Sequence, residues 1–205
     1  MPADERREQI LAVAQALFAR DGYHHVSMDD IADRARISKP VLYRHFESKL
    51  DLDLAVIDLR GDALLAVVDE AICSASGGAT RGRDMVRAIV SAYIRFVEES
   101  GDTFSLLFES DVTHDQDVRA RVDRASAGTA ERICNGLHGL AGLPAADAEL
   151  LAATLVGMAQ VASAFQYRAH GMSTDQAVDL LTQLAWRGVA GLVKDHPDGA
   201  DEQPA

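Results

Sequence analysis

The 205-residue sequence predicts an all-α protein, with an N-terminal three-helix helix-turn-helix unit, a larger helical domain behind it, and about nine helices in all. Three observations predict this. Apolar residues recur at spacings of three and four along most of the chain, and no stretch alternates with a period of two. Serine caps and glycine stops punctuate the pattern. The composition is globular, 48% apolar and 25% charged, with few aromatics (5%) and much Ala, Leu and Val.

Ile10, Val13, Ala14, Leu17 and Phe18 form the inner face of a first helix that Gly22 stops. Ser27 with Asp30 reads as a capping box opening a short helix through Ile31, Ala32 and Ala35. Ser38 is placed to cap a third, in which Pro40 is tolerated because the first turn has no intrahelical partner for its N–H. Ser48 with Asp51 is a second capping box, starting a long helix to about Ala75. A loop at 74–80 leads to a helix over 84–99 with Val86, Ile89, Val90, Tyr93 and Val97 inward. Gly101 breaks it before a short apolar segment, 104–108. A polar helix over 115–137 ends at Gly139 and Gly142, an apolar one runs from about 146 to 169, and a Ser173/Gln176 capping box opens the last, to about Val193. The tail, 197–205, has the composition of a disordered segment. Domain boundaries are expected at 1–47, 48–196 and 197–205.

Cys73 and Cys134 are too few and too far apart for a disulfide framework, the first residues carry no apolar signal-type segment, and the longest apolar run, 150–159, is half a membrane span. A cytoplasmic location without a membrane partner is the expectation. The formal net charge of −12 would exclude a chain basic throughout, but it is unevenly spread. Residues 1–50 carry eight positive and eight negative charges, so residues 51–205 hold the whole excess. Within the neutral segment, 34–49 has five Lys/Arg against Glu47 alone, a local +4. A basic stripe on a neutral head, followed by an acidic body, implies two parts with different tasks.

The third helix brings Ser38, Lys39 and Pro40 to its first turn, then Tyr43, Arg44 and His45, with Lys49 at the next helix start. Hydroxyl and basic groups at the start of the second helix of a helix-turn-helix suit phosphates and base edges. Ser27 heads the preceding helix, whose free N–H groups make a phosphate seat.

The stretch Val26-Ser-Met-Asp-Asp-Ile-Ala-Asp-Arg-Ala-Arg-Ile-Ser-Lys-Pro-Val-Leu-Tyr-Arg-His-Phe-Glu-Ser-Lys49 resembles the TetR family of transcriptional regulators, in Ile-Ala, the turn Ser, Leu-Tyr-x-His-Phe and the closing Ser-Lys. The resemblance covers residues 5–50 and implies a homodimer that reads a palindromic double-stranded DNA operator and answers to a small-molecule effector. It puts Ser27, Ser38, Lys39, Tyr43, His45 and Lys49 at DNA, and Pro40 and Arg44 at positions that tune the operator. Arg36 stands where the family usually has glycine, in a turn that often needs positive φ. An arginine there costs about 1 kcal/mol or alters the turn, and adds a cation for phosphate. Ser38-Lys-Pro-Val-Leu-Tyr43, Phe104-Ser-Leu-Leu-Phe-Glu-Ser-Asp111, Leu155-Val-Gly-Met158 and Ala185-Trp186 are similar to actinobacterial TetR regulators of fatty-acid synthesis, which implies long-chain acyl-CoA as effector.

Tyr93, Phe96, Phe104, Leu107, Phe108, Met158 and Phe165 would be ordinary core on their own. The resemblance makes them candidates to line a cavity for a small hydrophobic effector. An anionic effector would need arginines, of which the body offers Arg83, Arg87, Arg95, Arg119, Arg121 and Arg124. Small residues on the last two helices (Ala153, Gly157 and Ala164; Ala185 and Gly188, with Leu181) let helices approach closely, either inside one subunit or across a dimer, which the resemblance favours. Cys134 and His138 have the spacing to share a metal, with Cys73 and His114 as conceivable partners, but no third fixed ligand is evident, and neither metal nor cofactor is expected. No nucleophile elbow, phosphate loop or zinc-protease motif occurs, so no enzyme is expected. The reading is a ligand-responsive repressor. Its rivals are an activator, a metal-responsive regulator, and a helix-turn-helix interaction module without DNA binding.

Overall fold

The computed structural model describes residues 2–75, 81–108, 115–141, 144–169 and 171–195. Among them are nine α-helices: α1 Ala3–Asp21, α2 Met28–Ala35, α3 Lys39–His45, α4 Lys49–Ser74, α5 Arg81–Ser100, α6 Ser105–Phe108, α7 Gln116–Ala141, α8 Ala145–Ala169 and α9 Thr174–Asp195. Two 3-10 turns, Tyr23–His25 and Gly101–Phe104, complete the described elements, and no strand occurs among them. The loop expected at 74–80 lies mostly outside the described residues, and the tail at 197–205 wholly so.

The chain forms two compact units, 1–63 with 100–125, and 64–99 with 126–205. The division falls within α4 rather than at the expected 47/48 boundary. The reason lies in the first unit's core, where Leu52 and Val56 of α4 and Leu106 of α6 are buried with Ile10, Phe18, Ile31, Leu42 and Phe46. A three-helix head this small buries too little alone, and the start of α4 and α6 complete it.

Local rules account for the helix ends. At Ser27 the hydroxyl oxygen accepts the Asp30 N–H (3.1 Å), while Asp30 Oδ2 accepts the Ser27 N–H (2.8 Å). At α4 Ser48 Oγ accepts the Asp51 N–H (3.0 Å), and at α9 Ser173 and Gln176 exchange the same pair of bonds. The Ser38 hydroxyl makes no such cap at α3, whose start rests on Pro40 in the first turn. Gly22 ends α1 with φ 81°.

Within the first unit α4 and α7 approach closely at Gly61, where an added Cβ would stand 3.1 Å from Ala125 Cβ. Asp58 pairs there with Arg121 and, at 3.9 Å, with Arg124. In the second unit Gly128 leaves space for Leu65, and Arg132 Nε bonds Asp69 at 2.6 Å. The second unit's apolar core joins α5 (Val86, Val90, Ile94) to α9 (Ala177, Val178, Ala185), with Leu155 and Met158 of α8 against it. Helix α8 is long and apolar enough, by length and composition, to cross a membrane, with mean hydropathy 1.5. Its two faces differ, however. Ala148, Ala152, Val156, Ala159 and Ala164 are buried in the unit, while Leu150, Val161 and Phe165 are exposed.

Candidate nucleic-acid interface

The first unit presents one polar helix on an apolar base. Leu42 and the following Phe46 anchor α3 in the core, so that Lys39, Pro40, Tyr43 and Arg44 of this seven-residue helix face outward and Val41 is half-buried. Ser38, Lys39, Pro40 and Arg44 are exposed, Tyr43 is 49% exposed, and His45 is half-buried. Ser27 and Arg36 are exposed at the two ends of α2, and Lys49 is half-buried at the start of α4. The structure therefore keeps every sequence-predicted DNA residue at the surface of one unit, on or beside α2, α3 and the α4 start.

The turn between α2 and α3 keeps its left-handed residue in spite of the arginine. Arg36 has φ 55° and ψ 47°, and its N–H reaches the Ala32 and Asp33 carbonyls, while the Ile37 N–H donates to Ala32 O at 3.0 Å. It is the one non-glycine residue with positive φ among those described. The two bonds satisfy the helix end and offset the cost of placing a side chain in this region. From α1, Gln9 Nε2 donates to the Ala35 carbonyl at 3.2 Å and ties the same helix end down.

Charges on this face are arranged as well as exposed. The Lys39 ammonium bonds Asp29 Oδ2 at 2.6 Å, both side chains lying in solvent. That hydrogen bond and the carboxylate's charge raise the Lys39 pKa, so it is fully cationic. Asp30 is held below the usual carboxylate range by the Ser27 hydroxyl and N–H. Lys49 lies with Nζ 4.1 Å from the centre of the Tyr23 ring, a cation–π contact, and partial burial lowers its pKa. Four residues on, Asp53 is 2% exposed with Oδ2 unpartnered. Burial pushes its carboxyl up to about 6, Lys49 opposing and Asp115 adding to the shift. Sequence reasoning missed Asp29 and Asp53. Asp29 reads as one more solvated charge, and Asp53 stands among α4's apolar residues with nothing local to mark it.

The predicted effector residues are spread over both units. In the second unit an apolar cavity of about 20 Å³ is lined by Met85, Val86, Ile89 and Val90 of α5, Ile133 of α7, Leu155, Met158 and Ala159 of α8, and Ala185 of α9. Of the expected set it contains Met158 alone. Tyr93 and Phe96 are buried on α5 but do not line it. Phe104 and Leu107 are buried in the other unit, and Phe165 projects outward, 69% exposed. The Phe108 side chain lies outside the described residues. Helical periodicity marks an apolar face but cannot say what covers it.

The small-residue set divides as well. Ala153 and Gly188 are exposed and Gly157 half-buried, with open space beside both glycines, whereas Ala164 and Ala185 are buried and Leu181 packs against the α5–α9 core. Beside the open positions stands a row of exposed bulky side chains: Leu150, Val161 and Phe165 on α8, Leu180 and Leu184 on α9. Among the anion-binding candidates, Arg87 is paired with Asp179, and Arg121 and Arg124 with Asp58. No group of three or more His, Cys, Asp or Glu among the described residues could hold a metal. His114 and the His138 side chain lie outside them.

The model for bacterial regulatory proteins of the tetR family matches residues 10–56. Over 191 residues the chain is 36% identical to the HTH-type transcriptional activator FasR of Mycolicibacterium smegmatis, spanning 93% of this chain and 85% of that protein. A TetR-like transcriptional regulator from Rhodococcus sp. RHA1 superposes with a TM-score of 0.73 at 30% identity, covering 93% and 99% of the two chains. A tetR-family regulator from Streptomyces coelicolor gives a TM-score of 0.74 at 25% identity, over 97% and 86%.

Proposed function

The chain belongs to the TetR family of transcriptional regulators, which are DNA-binding proteins and not enzymes, and from that premise we propose that it is a cytoplasmic homodimer releasing or altering its hold on a palindromic operator when a small hydrophobic effector binds. One observation carries the reading. On α3 the anchoring residues Leu42 and Phe46 are apolar and buried, while Ser38, Lys39, Pro40, Tyr43 and Arg44 stand outward together. A helix so divided can enter a major groove, with Ser38, Lys39 and Tyr43 on phosphates, Arg44 and Pro40 toward base edges, and Ser27, Arg36, His45 and Lys49 supporting from the flanks.

Two heads need a dimer, and the exposed apolar row on α8 and α9 supplies a face for one. Leu150, Val161, Phe165, Leu180 and Leu184 give bulk, while Ala153, Gly157 and Gly188 leave room for close approach.

The effector would enter the second unit at the cavity between α5, α7, α8 and α9. At about 20 Å³ it has room for little more than a water molecule, so an occupant must displace side chains. Met85 and Met158 form part of its wall, and methionine is the side chain best suited to yield. The lining carries no charge, which suits a hydrocarbon chain. Together with the sequence resemblance this favours a long-chain acyl-CoA, whose phosphates would have to draw Arg87 away from Asp179, or engage Arg83 or Arg95. Effector in this unit would shift α4, whose first half belongs to the DNA-binding unit, and DNA and effector would then oppose one another.

Activation is a second reading of the sign of control, favoured because a relative 36% identical along 93% of the chain is named an activator. The test is to select an operator from a random duplex pool, then titrate the complex with acyl-CoAs of increasing chain length. Retained sequence preference with release by long chains supports the proposal. Sequence-indifferent, salt-insensitive association would replace it with an interaction module. Enhanced expression from a reporter carrying the operator would establish the activator form.

A further inference from the structure

The recognition helix reaches the surface with its first cation already engaged. Lys39 Nζ bonds Asp29 Oδ2 at 2.6 Å, from α3 across to α2, and both side chains are more than half exposed. The other charged or titratable groups that face Lys39 are Asp33 on α2 and Tyr43 on α3 itself. Asp29 makes none of the hydrogen bonds that close the ends of α2, since the capping box uses Asp30 and the helix end uses Gln9 and the Arg36 and Ile37 N–H groups. Among the described residues the Asp29 carboxylate pairs with Lys39 alone.

We propose that Asp29 is an internal counter-ion for Lys39 that restrains the binding of this lysine to DNA phosphate. The inference rests on the proposed operator reading of α3. A phosphate that approaches Lys39 must replace a carboxylate already in place, and the displaced Asp29 is left as a bare negative charge beside the duplex. An exposed ion pair is weak enough for phosphate to displace it, so the restraint is a tax and not a block. Sequence-independent and operator binding both bear this cost, which weighs most on sequence-independent binding because that consists almost wholly of phosphate contacts. An operator complex adds base contacts that Asp29 does not oppose.

A second consequence appears in salt dependence. A lysine that meets phosphate releases DNA counterions, steepening log K against log salt by about 0.9 per phosphate neutralised. When the same lysine abandons a carboxylate, the freed carboxylate recruits a cation and cancels part of that release. Removing Asp29 should therefore steepen the slope by up to about 0.9 per subunit and tighten low-salt binding to random DNA by about two- to fivefold.

The experiment compares wild type, Asp29→Asn, Asp29→Glu and Lys39→Ala, together with Lys39→Ala/Asp29→Asn. Fluorescence anisotropy is read on a random-sequence duplex and on a selected operator across a salt series. Expected are a steeper slope and tighter random-duplex binding for Asp29→Asn, near-wild-type behaviour for Asp29→Glu, and loss of the Asp29→Asn effect in the Lys39→Ala background. Superimposable wild-type and Asp29→Asn curves would overturn the inference while leaving the operator reading standing. So would an Asp29→Asn gain that persists without Lys39, since it would then be general charge repulsion. Wild type without any salt-dependent DNA binding would remove both readings. Asp29 is exposed, and thermal midpoints equal to wild type would establish that the variants are folded.

Discussion

The Lys49 ammonium rests 4.1 Å from the centre of the Tyr23 ring, so that an aromatic face from the turn after α1 holds the cation that opens α4. Among the described residues no salt bridge joins Lys49 to Asp53, four residues along the same helix, although each shifts the other's titration. Asp53 is thus a buried acid whose Oδ2 has no hydrogen-bond partner.

This geometry makes stability depend on pH in a definite direction. The folded chain binds the Asp53 proton more tightly than the unfolded chain does, about 6 against 3.8. Its contribution is therefore favourable only while the carboxyl is protonated and is lost as pH rises between those values. At neutral pH the cost is about 3 kcal/mol. Asp53→Asn should be more stable than wild type at neutral pH by up to that amount, the advantage fading toward pH 4. Urea denaturation across the range measures it; parallel stability–pH curves for the two proteins would refute this origin of the pH dependence.

Arg36→Gly relieves the left-handed conformation at φ 55°. The variant should gain about 1 kcal/mol of stability, offset in part by the larger entropy of an unfolded glycine. It should also lose a cation from the DNA face, so a higher melting temperature with weaker DNA binding is the expected pair. A lower melting temperature would mean that the arginine side chain contributes more than its backbone costs.

Lys39→Ala and Tyr43→Ala should each weaken operator binding by about tenfold or more, with the dimer intact, and Lys39→Ala should flatten the salt slope by less than about 0.9 for each phosphate it no longer neutralises, because Asp29 already cancels part of that release. Gel shifts and light scattering check the two halves. Unchanged affinity in both variants would remove α3 from the interface.

Val161→Glu and Leu184→Glu place a charge on the exposed rows of α8 and α9, where the native side chains are 73% and 63% exposed. Sedimentation should show monomers that keep their helical circular dichroism and bind a palindrome no better than a half-site. Dimers of wild-type affinity would mean that the subunits meet elsewhere.

Features governed by neighbours in sequence are legible in it. The capping boxes at Ser27, Ser48 and Ser173 each need two residues three apart, and all three serines open the helices they predict, although at Ser48 the returning Asp51 carboxylate accepts the Glu47 N–H instead of the serine's own. Glycines are less readable. Of the two glycines expected to end it, α7 passes Gly139 and runs to Ala141, directly before Gly142, with Gly136 also inside it. Gly136 serves packing instead, since a Cβ there would meet Met85 Sδ at 2.9 Å. Periodicity likewise does not tell an inward aromatic from an outward one, which is why it places Phe165 in a cavity that this side chain does not reach. Nor can it pair Asp29 with Lys39, which lie on different helices and meet only because the α2–α3 turn brings them together.

Under the proposed dimer, the exposed apolar rows on α8 and α9 would have a consequence for the cell as well as for the fold. A regulator whose two heads are joined through such a face obeys mass action, and its effective dose at a palindrome falls with the square of monomer concentration once the pairs come apart. Copy number then becomes an input alongside the effector. A cell that dilutes this protein by growth would relax its control of the promoter faster than the protein itself disappears.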